Sequence, residues 1–166
     1  LVASDFSLDS PTNNFATFNP LANGEGLATL SEGNLKASYS GTGSKLLTST
    51  FAVGTGKWYW EFYVGAVSTS NRTTLGLGDV DTIDITGDGQ SDDTVMYSTG
   101  AISVLWDFSN ETTGSYTVVQ AGDIFQIALD ADTGKIWMGI DNTWLTGNPS
   151  TGATPIATHS GVTWTP

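Results

Sequence analysis

A two-residue period in the side chains of three short runs constrains the fold of this chain more than any other feature. The runs are residues 57–64, 123–130 and 135–140. A period of two places successive side chains on opposite faces of an extended strand, whereas a helix would need a period of about 3.6 residues. The tetrapeptide Ala-Asp-Thr-Gly at residues 131–134 predicts a hairpin turn with its glycine at positive φ. The sequence therefore predicts an all-β, antiparallel sandwich or barrel.

The length of 166 residues bounds the organisation of the chain. Single cores usually take about 100–200 residues, so we expect one domain over residues 1–166. An apolar fraction of 39% and six tryptophans exclude an intrinsically disordered chain. No apolar run reaches the roughly 18 residues that a membrane-spanning helix needs, so no membrane partner is expected.

The net charge excludes further classes of partner. Five Lys and Arg against 17 Asp and Glu give a charge of −12 at pH 7. The electrostatic potential of such a negative charge repels phosphate backbones and anionic lipid, so we expect neither nucleic acid nor a membrane surface as a partner. Bound cations are compatible with it.

Few residues are suited to catalysis or to binding soft metals. The chain has no Cys and a single histidine, His159. These counts exclude disulfides, thiolate nucleophiles and metal sites rich in Cys or His. A serine nucleophile would have to use His159, yet the chain contains no Gly-x-Ser-x-Gly pentapeptide. The sequence therefore predicts a protein that is not an enzyme.

Four separated motifs resemble those of the SPRY family, in matching order and spacing over residues 45–145. They are GKWYWE at residues 56–61, Gly76-Leu77-Gly78, Tyr97 followed by Gly100, and GDIFQIALDADTGKIWMGI at residues 122–140. The resemblance implies a two-sheet antiparallel sandwich, the jelly roll of concanavalin-A-like proteins. It also implies a non-catalytic module that binds partners through its loops.

Both ends of the sequence resemble SPRY-like domains in structural proteins of tailed bacteriophages. The similar segments are SPTNNFAT at residues 10–17 and NTWLTGNP at residues 142–149. This narrower resemblance implies an extracellular protein of the virion, in a tail fibre or on the capsid surface. Assembly as a homo-oligomer within the virion is compatible with it.

Acidic residues at strand ends are expected to anchor turns. Asp123 and Asp130 stand at the two ends of the second alternating run, where a carboxylate can accept backbone N–H groups. The hairpin of the SPRY family usually continues into an Asn-Gly turn, whereas this chain has Asp141-Asn142-Thr143. We therefore expect a differently shaped loop at that point.

The six tryptophans fall into two groups, one expected in the core and one expected at a binding surface. Four lie in strand-like runs and should mostly be buried: Trp58, Trp60, Trp106 and Trp137. The other two, Trp144 and Trp164, lie in a loop-like or terminal context. An exposed tryptophan offers a flat apolar face to a sugar ring or to a protein.

The polar, Gly- and Pro-containing stretch 142–155 is the preferred binding loop. The predicted ligand-binding residues are Asn142, Trp144 and Asn148, together with Tyr97. In the alternative interpretation, Trp144 folds back on the edge of the sandwich as a cap.

Six Asp fall within residues 79–93, and this acidic segment carries two further hypotheses. Short carboxylates around a Gly-Asp-Gly turn can collect oxygen ligands for calcium, and Asp84, Asp88 and Asp92 are the predicted ligands. The alternative to a calcium site is a solvated acidic loop without a ligand. The spacing Asp79-x-Asp81-x-x-Asp84 also copies the Glu-x-Asp-x-x-Glu motif of laminarinase-like glycosidases, in which two carboxyls perform retaining hydrolysis.

Together these features predict a non-catalytic binding or structural module of a phage virion. Its expected partner is a host-surface glycan or a neighbouring virion protein, and calcium is the expected cofactor if there is one. Two alternatives stay open. One is a glycan-processing enzyme that uses residues 79–93, and the other is a purely structural interface element of a capsid or fibre.

Overall fold

Fourteen β-strands and no helix make up the secondary structure of the described part of the chain. The computed structural model describes residues 16–23, 28–41, 46–67, 74–80, 94–98, 103–106, 109–113 and 116–166. The strands are β1 (Phe18–Asn23), β2 (Thr29–Ser31), β3 (Lys36–Ser38), β4 (Leu47–Ser49), β5 (Lys57–Tyr63), β6 (Thr74–Asp79), β7 (Thr94–Ser98), β8 (Ser103–Trp106), β9 (Ser109–Thr113), β10 (Ile124–Asp130), β11 (Lys135–Ile140), β12 (Thr143–Trp144), β13 (Ala157–Thr158) and β14 (Trp164–Thr165). All of their pairings are antiparallel, so the predicted fold class is confirmed.

Two five-stranded sheets form the body of the fold. In the first sheet, β5, β10, β11 and β12 are neighbours in that order, and β13 also pairs with β11. The second sheet has the order β14-β6-β7-β8-β9, and two ribbons, β1–β4 and β2–β3, accompany the sheets. Buried side chains from both sheets meet in one core, with Trp60 and Ile127 from the first and Leu77 and Trp164 from the second. The architecture is a two-layer β-sandwich.

The predicted alternation orients the first sheet. Trp60, Ile127 and Met138 lie in one cross-strand row, and all three are buried in the core. The opposite face of β10 and β11 is also buried at its centre, because the C-terminal segment lies over it. Trp137, on that face, donates its indole N–H to the carbonyl of Ala153 at 2.9 Å.

Two tryptophans depart from their expected burial. The prediction that Trp164 is exposed is wrong, since it is 0% exposed: short strand β14 pairs with β6 and draws the indole into the core. Trp58 is 41% exposed although it lies in a strand, and it stacks on Trp60 with ring centroids 6.3 Å apart. Trp60 and Trp137 are buried as predicted, whereas the side chain of Trp106 lies outside the described set.

The turns follow the sequence rules closely. Gly134 has a φ of 69°, as predicted for the β10–β11 hairpin. Asp130 and Asp123 accept the backbone N–H groups of Thr133 and Gln120, so both predicted anchors are confirmed.

The turn after β11 is tight in spite of its departure from the family pattern. Asp141 and Asn142 adopt φ values of 47° and 62°, and Ile140 pairs directly with Thr143. The expectation that the shape of this turn differs from the loop of the family stays a prediction. Asp and Asn tolerate positive φ better than other non-glycine residues, so the pair can form the two-residue turn that Asn-Gly favours.

The described residues contain no helix that is both long and apolar enough to span a membrane. The single domain predicted over residues 1–166 includes positions outside the described ranges and stays a prediction.

Candidate binding face

A cluster of aromatic and polar side chains lies on the outer face of the first sheet, away from the core. We call it the outer cluster; it comprises Tyr59, Glu61, Gln126, Asn142 and Trp144. The register of the sheet builds it, because Glu61 pairs with Gln126, Gln126 with Gly139, and Gly139 with Trp144. Four strands thus contribute to one row, and the alternation that buries Trp60 directs the side chains of Tyr59 and Glu61 outward.

Gln126 holds the outer cluster together. Its side chain is buried, and an amide there must be hydrogen-bonded to avoid a desolvation penalty. Its Oε1 accepts the main-chain N–H of Asn142 at 2.6 Å, and its Nε2 donates to Asn142 Oδ1 at 3.2 Å. Nε2 also donates to the hydroxyl of Tyr59. The amide therefore links the β11–β12 turn to the ring on β5.

The hydroxyl of Tyr59 extends this hydrogen-bond network to the carboxylate of Glu61. This hydroxyl donates to Glu61 Oε1 at 2.6 Å while accepting from Gln126. The pKa of Tyr59 is raised above its ordinary value of 10.0, first by partial burial, then by the hydrogen bond to Glu61 and by the negative charge of that residue. The Gln126 hydrogen bond opposes this rise. At neutral pH the phenol is a fixed, protonated donor.

Trp144 lies half-buried against the sheet, next to Tyr59. The two rings meet edge to face, with centroids 6.4 Å apart and an interplanar angle of 73°. Gly139 makes this position possible: a Cβ there would lie 2.9 Å from the carbonyl oxygen of Thr143 and 3.1 Å from Trp144 Cε3. The indole is thus packed on the sheet, as the capping interpretation expects, and part of its surface stays accessible.

The outer cluster continues into an exposed aromatic rim. Tyr63 is 74% exposed and Tyr59 49%, and Ile124, which pairs with Tyr63, is also exposed. Neither tyrosine is among the predicted ligand-binding residues. The signal was present in the alternation, which places Tyr59, Glu61 and Tyr63 on the face opposite the core.

An open groove of about 450 Å³ lies at the end of the first sheet and shares Trp144 with the outer cluster. Its walls include apolar or aromatic side chains and two carboxylates, contributed by Tyr116, Val118, Asp123, Asp141, Trp144 and Leu145. Asp123 Oδ2 accepts the N–H of Gln120 at 2.7 Å, and Asp141 Oδ1 accepts the N–H of Ile124 at 2.9 Å. Each carboxylate is therefore held in place through one oxygen.

The lysines that the structure describes lie outside this groove. Lys57 is 3.6 Å from Asp130, Lys36 is 3.5 Å from Glu32, and Lys135 donates to the carbonyl of Gly152. In the part of the chain that the structure describes, no Lys or Arg lines the groove.

Comparison with solved structures identifies the architecture. The SPRY domain of human HERC1 superposes with a TM-score of 0.63, at 16% sequence identity, over 89% of this chain and 86% of that one. The chain has a SPRY-like fold. No protein-family model and no curated protein sequence matches it.

Two of the predicted binding residues lie in the outer cluster of this SPRY-like domain and two do not. Asn142 and Trp144 are adjacent to Gln126 and Tyr59, as described above. Asn148 is exposed and organises its own turn, because its Oδ1 accepts both the N–H and the hydroxyl of Ser150. Tyr97 lies on β7 in the other sheet, opposite Leu75 and Val104, and its side chain is not among those described.

The acidic segment of the SPRY-like domain lies almost wholly outside the described residues. Asp84, Asp88 and Asp92 fall there, as does Asp81, so the calcium and glycosidase hypotheses stay predictions. Asp79 is described: it ends β6, is half-buried and pairs with Trp164. Within the described ranges, no group of three His, Cys, Asp or Glu residues is arranged to hold a metal ion.

Proposed function

We propose that this SPRY-like domain is a non-catalytic binding module whose contact surface combines the outer cluster, its tyrosine rim and the adjoining groove. The observation that carries the proposal is a pair of half-accessible rings, Tyr59 and Trp144, that meet edge to face on the sheet. The buried Gln126 amide bonds both the hydroxyl of Tyr59 and the turn that precedes Trp144. Aromatic side chains that are rigid and partly exposed supply large contact area at low entropic cost.

The carboxylates of this surface support a binding role over a catalytic one. Glu61 accepts the Tyr59 hydroxyl, while Asp123 and Asp141 each accept a main-chain N–H. A carboxylate that already accepts one hydrogen bond from its own chain can accept further hydrogen bonds from a partner. These groups are therefore suited to holding turns and to contacting a partner.

The setting that we propose is a phage virion, in a tail fibre or on the capsid surface, and the partner is a host-surface glycan or a neighbouring virion protein. The similarity of residues 10–17 and 142–149 to phage structural proteins supports this setting. Copies repeated within a virion would strengthen a weak single contact through avidity.

Binding can be tested with the purified chain on a glycan array and against the structural proteins of the same virion. Tyr63→Ala should lower binding about tenfold or more, because it removes the most exposed ring of the face. Phe51→Ala is the matched control, since Phe51 is an exposed ring that packs on Trp58 away from this face. Equal losses in the two variants would overturn the assignment of the surface.

The glycan-processing alternative has its own assay. We expect no release of reducing sugar from β-glucans or host polysaccharides. Release that disappears in Asp79→Asn or Asp84→Asn would overturn the non-catalytic proposal. A complex in which the Trp144 face is buried between identical copies would instead support the purely structural alternative.

A further inference from the structure

We infer that the groove beside Trp144 receives Lys or Arg side chains from a basic segment of a partner protein. The inference deepens the proposed function, on which it rests, by choosing a polypeptide partner and naming its chemistry. Three observations carry it: which residues line the groove, which hydrogen bonds its two carboxylates make, and the net charge of the whole chain.

The walls suit a long cationic side chain. Val118, Ile140 and Leu145 offer apolar surface to an aliphatic stem, and Trp144 and Tyr116 offer aromatic rings. Lys and Arg commonly lay their methylene stems on apolar surface while the charged head stays at a polar rim. A cation over an aromatic face gains further attraction from the negative face of the ring.

The carboxylates suit the head group. Asp123 and Asp141 each hold a backbone N–H through one oxygen, and among the described residues neither second oxygen has a hydrogen-bond partner. An ionised carboxylate can accept further hydrogen bonds, and a guanidinium or ammonium supplies several donors. Among the described residues no Lys or Arg lines the groove, so both second oxygens are accessible to a cationic group of a partner.

The long-range field favours the same kind of partner. A chain with a net charge of −12 attracts a basic segment and repels an acidic one. A neutral sugar would satisfy the aromatic walls but would leave both carboxylates without a counter-charge. The groove is open to solvent, so a side chain of a peptide can reach its walls.

Isothermal titration with defined peptides tests the inference. The probes are a dodecapeptide of alternating Arg and Ser, its Lys counterpart and its neutral Gln counterpart. We expect the Arg and Lys peptides to bind with an affinity that falls as salt is raised, and the Gln peptide to bind at least tenfold more weakly. Equal binding of the Gln peptide would overturn the inference.

Variants locate the contact. Asp123→Asn and Asp141→Asn keep a side-chain oxygen for the backbone N–H, and each should weaken Arg-peptide binding about twofold to fivefold. Trp144→Ala should weaken it about tenfold or more. Asp132→Asn is the matched control, because Asp132 is an exposed carboxylate that accepts the N–H of Gly56 away from the groove. An equal loss in Asp132→Asn would show that only net charge matters and would overturn the groove assignment.

Two sugar probes separate failure of the inference from failure of the proposed function. Binding of a chitosan hexamer or a laminarin hexamer that is lost in Trp144→Ala, without binding of the Arg or Lys peptide, would refute the polypeptide partner and support a glycan-binding face. Binding of the basic peptides that is insensitive to all three groove variants would refute both the groove and its proposed use.

Discussion

The main-chain N–H of Asn142 lies 2.6 Å from Oε1 of Gln126, and this hydrogen bond connects the β11–β12 turn to the middle of the outer face. Asn142 lies in the left-handed region, with a φ of 62°, as does Asp141 before it. Gln126 is only 3% exposed and uses its other end for Asn142 Oδ1 and the Tyr59 hydroxyl. One buried amide thereby fixes both a turn and an aromatic ring of the proposed binding face.

Replacing that amide should destabilise the domain and loosen the face. Gln126→Ala removes three partly buried hydrogen bonds and leaves a cavity where the amide was, so we expect a loss of about 1–3 kcal/mol in the free energy of unfolding. Urea denaturation measures it. Gln120→Ala is the control, because Gln120 is exposed and its side chain makes one long bond to the Val118 carbonyl. A similar loss in both variants would contradict the central role of Gln126.

The position of Trp144 depends on the absence of a side chain at residue 139. Gly139→Ala would bring a methyl group to 2.9 Å from the Thr143 carbonyl oxygen, so the turn and the indole must shift. We expect a loss of about 1–3 kcal/mol in stability together with weaker partner binding. Gly54→Ala is the control, since the nearest atom to its new Cβ lies 3.7 Å away. Unchanged binding in Gly139→Ala would show that the indole position is unimportant.

The strands of the first sheet and the hairpin glycine could be predicted because they depend on local rules. A period of two fixes which residues share a face, and a two-strand turn demands positive φ at Gly134. Burial on both faces of β10 could not be predicted, because it requires residues of the distant C-terminal segment to fold over Trp137. The buried position of Trp164 escaped prediction for the same reason, since β14 gains its partners from β6.

The candidate site was predicted only in part. Loop context identified Asn142 and Trp144, but the row that they join depends on strand order, which alternation does not specify. Alternation places Tyr59 and Tyr63 on the face opposite Trp60, yet nothing local distinguishes a tyrosine there that meets Trp144 from one that meets solvent. Long-range register supplies that information.

Alanine substitutions at two glycines with positive φ distinguish the cost of backbone strain from the cost of a steric clash. Gly161 has a φ of 80° and open space around its missing Cβ, so Gly161→Ala should cost about 1–2 kcal/mol from conformation alone. At Gly134 a Cβ would overlap the carbonyl group of His159, so Gly134→Ala should cost roughly 3 kcal/mol or more. Thermal or urea unfolding of both variants measures the difference. Equal losses would mean that the contact between the hairpin and His159 is not rigid.

The raised pKa of Tyr59 makes the stability of the domain depend on high pH. A phenol whose folded pKa lies above its unfolded value of about 10 binds its proton more tightly in the folded state. Its contribution is fully present below pH 10 and is lost as the pH rises from there through the folded value. Urea midpoints between pH 8 and pH 11 should therefore fall less steeply in Tyr59→Phe than in the wild type. Parallel curves would show that the environment of Tyr59 does not perturb its ionisation.

Calcium binding by Asp84, Asp88 and Asp92 is a prediction of the sequence alone, and melting curves test it directly. A ligand that binds only the folded state at 100 times its dissociation constant adds about 2.7 kcal/mol to the free energy of unfolding. If the site exists, calcium should raise the melting temperature, a chelator should lower it again, and Asp88→Asn should remove the response. Asp132→Asn keeps the same net charge as that variant and places the change outside residues 79–93, so its response should match the wild type. A melting temperature that neither calcium nor chelator moves would refute the calcium site and leave a solvated acidic loop as the interpretation of residues 79–93.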